Sequence, residues 1–188
     1  VKGMKAMEEE VAPEDRGEAG EEAISYWLHA LGALRDPSER PALVMVTGLP
    51  GSGKSTVARS LVSEAGFEHL DSDVVRKEAA GLSPEDEAPT EPKGGLYADC
   101  WSDETYDQLR ARARSTLVRG GRVAIEATCR SRERRELFWS LADALSVPVI
   151  CLVCEAGDVE IEGRLRDRDS GPSDAGVEVY RKLRDEWE

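Results

Sequence analysis

The chain has no long apolar run. Nothing in its 188 residues approaches the roughly 18 consecutive apolar residues of a membrane-spanning helix. The first residues, Val1-Lys2-Gly3-Met4-Lys5-Ala6-Met7, lead into acidic sequence and not into an apolar signal core. A soluble, cytoplasmic protein with no membrane partner is expected. Cysteine is also sparse. Cys100 and Cys129 are isolated, and Cys151 and Cys154 lie in a strand-like run, where positions i and i+3 face opposite sides. That spacing suits buried free thiols better than a metal site.

Positive charge is scarce as well. The formal net charge is −13. Residues 1–22 hold eight acids against Lys2, Lys5 and Arg16, while residues 42–188 hold 28 acids and 20 bases. A domain that grips long nucleic acid normally carries a basic stripe, and this balance argues against one; local arginine clusters remain open. With 40% hydrophobic residues, the chain is long enough for one α/β domain with a core.

Against these absences stands one run, Gly48-Leu49-Pro50-Gly51-Ser52-Gly53-Lys54-Ser55-Thr56, which matches the phosphate-binding loop pattern G-x-x-x-x-G-K-[ST] in full. The apolar run Leu43–Val46 precedes it, and a helical pattern with Val57, Leu61 and Val62 follows. Strand, loop and helix in this order are the context the motif requires. Glycine lets backbone N–H groups approach phosphate oxygens, and the new helix adds the positive end of its dipole. Lys54 is placed to reach the β- and γ-phosphates, and Ser55 to ligate Mg²⁺.

Residues 1–22 read as a disordered acidic leader. Ile24, Trp27, Leu28 and Leu31 then give a short amphipathic helix, followed by a linker through residue 41. From Ala42 onward strand and helix alternate: strands at 43–47, 67–71, 122–126 and 147–153, helices at 54–65, 73–80, 103–118, 132–145, 157–168 and near 175–187. This repetition predicts a small parallel sheet of four visible strands with helices on both faces, an α/β fold of the P-loop NTPase class. Ligands of such sheets bind at the carboxyl ends of the strands. Those ends carry the loop, then Asp71-Ser72-Asp73, then Glu126-Ala127-Thr128. Residues 82–98, rich in Pro, Glu and Gly, read as a long loop, either a substrate-proximal flap or disordered.

Phosphoryl transfer to a hydroxyl needs a carboxylate to orient or deprotonate that hydroxyl, and a cation to hold an anionic acceptor or the developing charge. Asp73 and Arg76, three apart on a helical turn, offer both; the plainer alternative is an N-cap aspartate with a solvent-exposed arginine. Glu126 ends a β-type run, where it would hold a Mg²⁺-bound water or contact the acceptor, or else lie as an ordinary strand-end carboxylate. Arg135 precedes Leu137-Phe138 and so lies near the packed side of its helix. Arg164, Arg166 and Arg168 lead into Asp169-Ser170-Gly171-Pro172-Ser173, as in a lid closing over phosphates; pairing with Glu160 and Glu162 is the competing reading.

Taken together, Gly48–Thr56, Ser72-Asp73-x-x-Arg76-Lys77, Glu126-Ala127-Thr128 with Arg135 nine residues on, and Arg164/Arg168 resemble the small P-loop kinases of the polynucleotide 5′-hydroxyl kinase-like group. The resemblance is strongest to bacterial ATP-binding domains often fused to an aminoglycoside-phosphotransferase-like half. It covers Ala42 to Glu188, including Gly94-Gly95-Leu96-Tyr97 and Thr105-Tyr106. It implies ATP and Mg²⁺ as cofactors, with Lys54 and Ser55 as nucleotide and metal residues. Asp73 corresponds to the general base, Arg76 to the acceptor-binding arginine, Glu126 and Arg135 to acceptor-side positions, and Arg168 to the lid arginine. A phosphotransferase-like domain is the implied fusion partner. Glu126 stands where the group usually has Asp, and the fifth strand that commonly follows the last helix is not seen. The expected activity is γ-phosphoryl transfer to a hydroxyl acceptor, a 5′-hydroxyl nucleic-acid end or a small molecule. A nucleotide-dependent binding module with vestigial catalysis is the reading from another class.

Overall fold

The computed structural model describes residues 13–83, 86, 99–167 and 175–187. Four strands form one parallel sheet: β1 (Ala42–Thr47), β2 (Glu68–Asp71), β3 (Arg122–Glu126) and β4 (Val149–Val153), in the order β2-β3-β1-β4. The helices are α1 (Pro13–Leu34), α2 (Lys54–Ala65), α3 (Ser72–Ala79), α4 (Asp99–Val118), α5 (Arg132–Ala144), α6 (Asp158–Arg166) and α7 (Val177–Asp185). The expected sheet and helix order is therefore present, with boundaries moved by a few residues.

Strand alternation divides the core. Leu43, Met45, Val123 and Ile125 point to one face, where they meet Leu109, Ala113 and Leu117 of α4, Phe138 and Leu141 of α5, Val75 of α3 and Leu28 of α1. Val44, Val46 and Ala124 point to the other face, under Ala58, Val57 and Leu61 of α2. Val62, expected on that packed side, is exposed, because α2 turns its Ala58 stripe to the sheet. A third cluster, Ile161, Leu165 and Tyr180 with Leu49 beside it, joins α6 and α7 beneath the phosphate loop.

The N-terminal boundary needs correction. Helix α1 begins at Pro13, so residues 13–22 are helical where the sequence reads as a disordered leader. Leu28 is fully buried, Ile24 and Leu31 pack beside it, and Arg114 of α4 pairs with Glu21, which ties the helix to the main core. Trp27 is 56% exposed, since burial of Leu28 rotates the indole to the rim. Residues 1–12 and most of the 82–98 segment, with Gly94–Tyr97, lie outside the described residues, as does Arg168.

Candidate active site

Helix α2 takes the chain from β1 past β3 to β2, whereas β3 leads through α5 to β4 on the opposite side. The connections diverge between β1 and β3, which opens a crevice at their carboxyl ends. A cleft of about 860 Å³ occupies this place. It is lined by the phosphate loop from Pro50 to Thr56, by Asp71, Asp73 and Arg76, by Glu126 and Thr128, and by Arg164.

The loop has the geometry its glycines predict. Gly48 has φ 140°, and a Cβ there would lie 2.4 Å from the Cys154 carbonyl oxygen, so no other residue fits. Gly51, at φ 78°, passes within contact of Ile161 and Leu165. The Ser52 hydroxyl is buried and has no hydrogen-bond partner among the described residues. A buried donor in that state suits a loop built to surround phosphate oxygens.

Lys54 opens α2, and its Nζ donates to the Leu49 carbonyl at 3.1 Å. Burial lowers its pKa, while Glu126, Asp73 and Asp71 act in the opposite sense. The adjacent Ser55 hydroxyl donates to Glu126 Oε1 at 2.5 Å. Glu126 is buried at the end of β3, in register with Asp71 of β2, and its Oε2 lies 3.0 Å from His69 Nε2. Serine and carboxylate oxygens are hard donors of the kind Mg²⁺ takes, so the residues present fit that ion. The plain strand-end carboxylate in solvent is not what the structure contains.

Asp71 caps α3: its Oδ1 accepts the Asp73 N–H at 2.8 Å. The N-cap reading of Asp73 is thus displaced by two residues, because the helix starts at Ser72. With the cap supplied by Asp71, the Asp73 carboxylate pairs with Arg76 at i+3 along the cleft wall. The Arg76 side chain is 11% exposed and so is not the solvated arginine of the alternative reading. Asp71 itself is crowded. Burial first, then the charges of Asp73 and Glu126, raise its pKa to about 6. His69 is raised chiefly by its hydrogen bond to Glu126.

Arg135 and Arg166 are not among the residues that line the cleft. Arg135 Nη1 donates to the carbonyls of Cys129 at 2.8 Å and Arg130 at 3.2 Å. Cys129 has φ 45°, unusual for a residue with a Cβ, and its N–H donates to the buried Tyr106 hydroxyl at 3.0 Å. Arg135 and Tyr106 therefore brace the turn that carries Thr128 to the cleft; Arg135 does not line the cleft itself. On α6, Arg164 and Arg166 make the i,i+4 pairs with Glu160 and Glu162, as the plainer reading had it. Arg164 does more, since its Nη1 also donates to the Gly51 carbonyl at 3.1 Å. With α7, whose Leu183 lines the cleft and whose Tyr180 hydroxyl donates to Asp158 at 2.6 Å, α6 makes a lid-like pair beside the loop.

Sequence reasoning passed over His69 and Arg59, both of which line the cleft. A signal existed for the first: His69 and Asp71, two apart on a strand, share a face. Among the described residues, Cys129 is buried and Cys151 and Cys154 half-buried, all as free thiols. No helix among those residues is long and apolar enough to cross a membrane.

A four-stranded parallel sheet with helices on both faces and a complete phosphate loop at its switch point is the P-loop kinase type of fold. The chain belongs to the AAA_33 family, described as an AAA domain, whose model matches residues 43–188. It is 27% identical over 166 residues to the uncharacterized protein Rv2004c of Mycobacterium tuberculosis H37Rv, covering 88% of this chain and 33% of the relative. The chain thus spans a third of the length of the curated relatives it matches. Among solved structures, it resembles a sugar kinase from Janibacter sp. HTCC2649, with TM-score 0.57, 20% identity, and coverage of 79% of this chain and 78% of the other. It also resembles a chain of the Pnkp1/Rnl/Hen1 RNA repair complex, with TM-score 0.55, 18% identity, and coverage of 78% of this chain and 43% of the other.

Proposed function

We propose that residues 42–188 form an ATP- and Mg²⁺-dependent kinase unit that transfers the γ-phosphoryl group to a hydroxyl acceptor, with a 5′-hydroxyl nucleic-acid end as the acceptor class. The observation that carries this reading is the division of labour at the start of α3. Asp71 caps the helix, which leaves the Asp73 carboxylate, held by Arg76, on the cleft wall shared with Lys54 and Ser55.

In this reading the loop amides and Ser52 hold the phosphates, and Lys54 exchanges its bond to the Leu49 carbonyl for phosphate oxygens. Mg²⁺, held by Ser55 and through water by Glu126, would neutralise charge on the β- and γ-phosphates. Asp73 accepts the proton of the acceptor hydroxyl and aligns that oxygen. Arg76 forks onto a phosphate of the acceptor, and Arg164, with Arg168 beyond it, brings positive charge from the lid. A phosphotransferase-like fusion partner belongs to the same proposal, supported by the greater length of the relatives.

A small neutral acceptor is the second reading, favoured by the −13 charge. The likeness to a sugar kinase agrees with it at the level of fold. The two readings separate in one experiment: transfer from [γ-³²P]ATP to a short 5′-hydroxyl oligonucleotide and to a panel of sugars, at two salt concentrations, with wild type and Arg76→Ala. A nucleic-acid end gives a KM that rises with salt as expected for about 2–3 phosphate contacts, and a selective loss in Arg76→Ala for acceptors with an adjacent phosphate. A flat salt response in both proteins transfers the assignment to the small-molecule class. Absence of transfer to any acceptor, with nucleotide binding intact, leaves the binding-module reading.

A further inference from the structure

Glu126 uses its two oxygens on two different neighbours. Oε1 accepts from Ser55, on the nucleotide side, while Oε2 meets His69 Nε2 on the side of β2. Asp71 lies two residues along the same strand as His69, and one of its oxygens is committed to the α3 cap, which leaves the other. Ligand atoms of His69, Asp71 and Glu126 all lie within 4.8 Å of one another. Nothing in the phosphoryl-transfer chemistry above uses the imidazole.

We propose that His69, Asp71 and Glu126 form a divalent-cation site beside the nucleotide metal position, selective for an ion that accepts nitrogen, such as Mn²⁺, over Mg²⁺.

The distances suit such an ion. Ligands at about 2.1–2.2 Å in an octahedron are separated by about 3.0 Å along an edge and about 4.3 Å across. The 3.0 Å between His69 Nε2 and Glu126 Oε2 is an edge, and the 4.8 Å limit closes to the larger spacing with a shift of a few tenths of an ångström. The charge is local: the carboxylates of Asp71 and Glu126 face the imidazole directly, although Lys54, Arg59, Arg76 and Arg164 line the same cleft and balance its acids. The donor set decides the selectivity. Mg²⁺ prefers oxygen throughout, whereas one imidazole beside two carboxylates favours divalent first-row transition ions, of which Mn²⁺ is the paramagnetic representative. The His69 side chain is 27% exposed, so solvent reaches the site and can complete the coordination. Because the site contains no nucleotide-derived ligand, it stands independently of the kinase reading.

The test is Mn²⁺ titration of the full chain without nucleotide, followed by electron paramagnetic resonance, with spin-echo modulation to detect coordinated nitrogen. Wild type is expected to bind one Mn²⁺ with a ¹⁴N modulation, and equimolar Mg²⁺ does not displace it. His69→Gln should lose the nitrogen signature and about tenfold or more in affinity. Ser55→Ala, which removes the nucleotide-side oxygen together with its hydrogen bond to Glu126 Oε1, should keep the ¹⁴N signature. Circular dichroism of each variant controls for folding. The proposal falls if wild type binds no Mn²⁺ without nucleotide or binds it without nitrogen coupling. It falls equally if Mg²⁺ competes at parity, or if Ser55→Ala abolishes binding, since the ion then sits at the nucleotide position. His69 and Glu126 would in those cases form a simple hydrogen-bonded pair.

Discussion

Replacing Lys54 by Met keeps the aliphatic stem and removes one charge from the cleft. In the structure that charge lies at the start of α2, among Glu126, Asp73 and Asp71, with the Leu49 carbonyl as its hydrogen-bond acceptor among the described residues. Its burial depresses its pKa, so the fold gains little from the ammonium; we expect a Tm change below about 5 °C. The effect on transfer is far larger. A unit charge about 4 Å from a phosphate oxygen, at an effective dielectric constant of about 20, contributes about 4 kcal/mol, which corresponds to about 10³-fold in rate. Single-turnover transfer from [γ-³²P]ATP measures it, with nucleotide affinity followed separately by a fluorescent ATP analogue. A folded Lys54→Met protein whose kcat/KM stays within tenfold of wild type would refute the role given to the loop.

Asp73→Asn should keep ATP affinity near wild type and slow transfer by about 10²-fold or more, because the amide keeps the shape and loses the proton acceptor; a collapse of nucleotide affinity instead would put Asp73 in the metal site. Asp71→Asn tests the crowding of carboxylates. A folded-state pKa raised from 3.8 to about 6 means that the folded protein holds this proton more tightly than the unfolded chain, so stability is lost as pH rises through that window. Asparagine still caps the helix but carries no such penalty. In chelator, the variant should match wild type at pH 3.5 and exceed it by about 2–3 kcal/mol at pH 7, and urea unfolding at equal stability across that range would contradict the assignment. Leu28→Ala should cost about 2–4 kcal/mol, whereas Trp27→Ala should change stability by less than about 1 kcal/mol; similar losses would mean that α1 packs on its other face.

Much of this molecule is local in origin. The strand, loop and helix around Gly48–Thr56 follow from apolar alternation, glycine geometry and the start of α2, all contained in contiguous residues. The stripe Tyr106, Leu109, Ala113 and Leu117 is buried as its period predicts, because a helix on a sheet needs one apolar face wherever its neighbours come from. Local reading failed where a side chain answers to distant partners. In sequence the plainer reading makes Asp73 the cap, and only the first turn of α3 assigns the cap to Asp71 and frees Asp73 for the cleft. Arg135 reads in sequence as near the packed side of its helix, but only the left-handed turn at Cys129, six residues earlier, shows that its guanidinium serves that turn's carbonyl. The start of α1 was hidden by its acidic residues, whose helical state depends on burial of Leu28 against β1, β3 and α4. For His69 the sequence offers only the shared strand face with Asp71, a pattern common to any strand with alternating polar residues. The histidine gains chemistry from the parallel register of β2 on β3, which sets Asp71 opposite Glu126 and puts residues 57 positions apart within one hydrogen bond. Sequence by itself determined the loop, the order of elements and the faces they bury, since these rest on short-range sterics and periodicity. Tertiary structure decided which carboxylate caps, which meets an arginine and which meets an imidazole, because those choices depend on strand register and on charges packed together out of water.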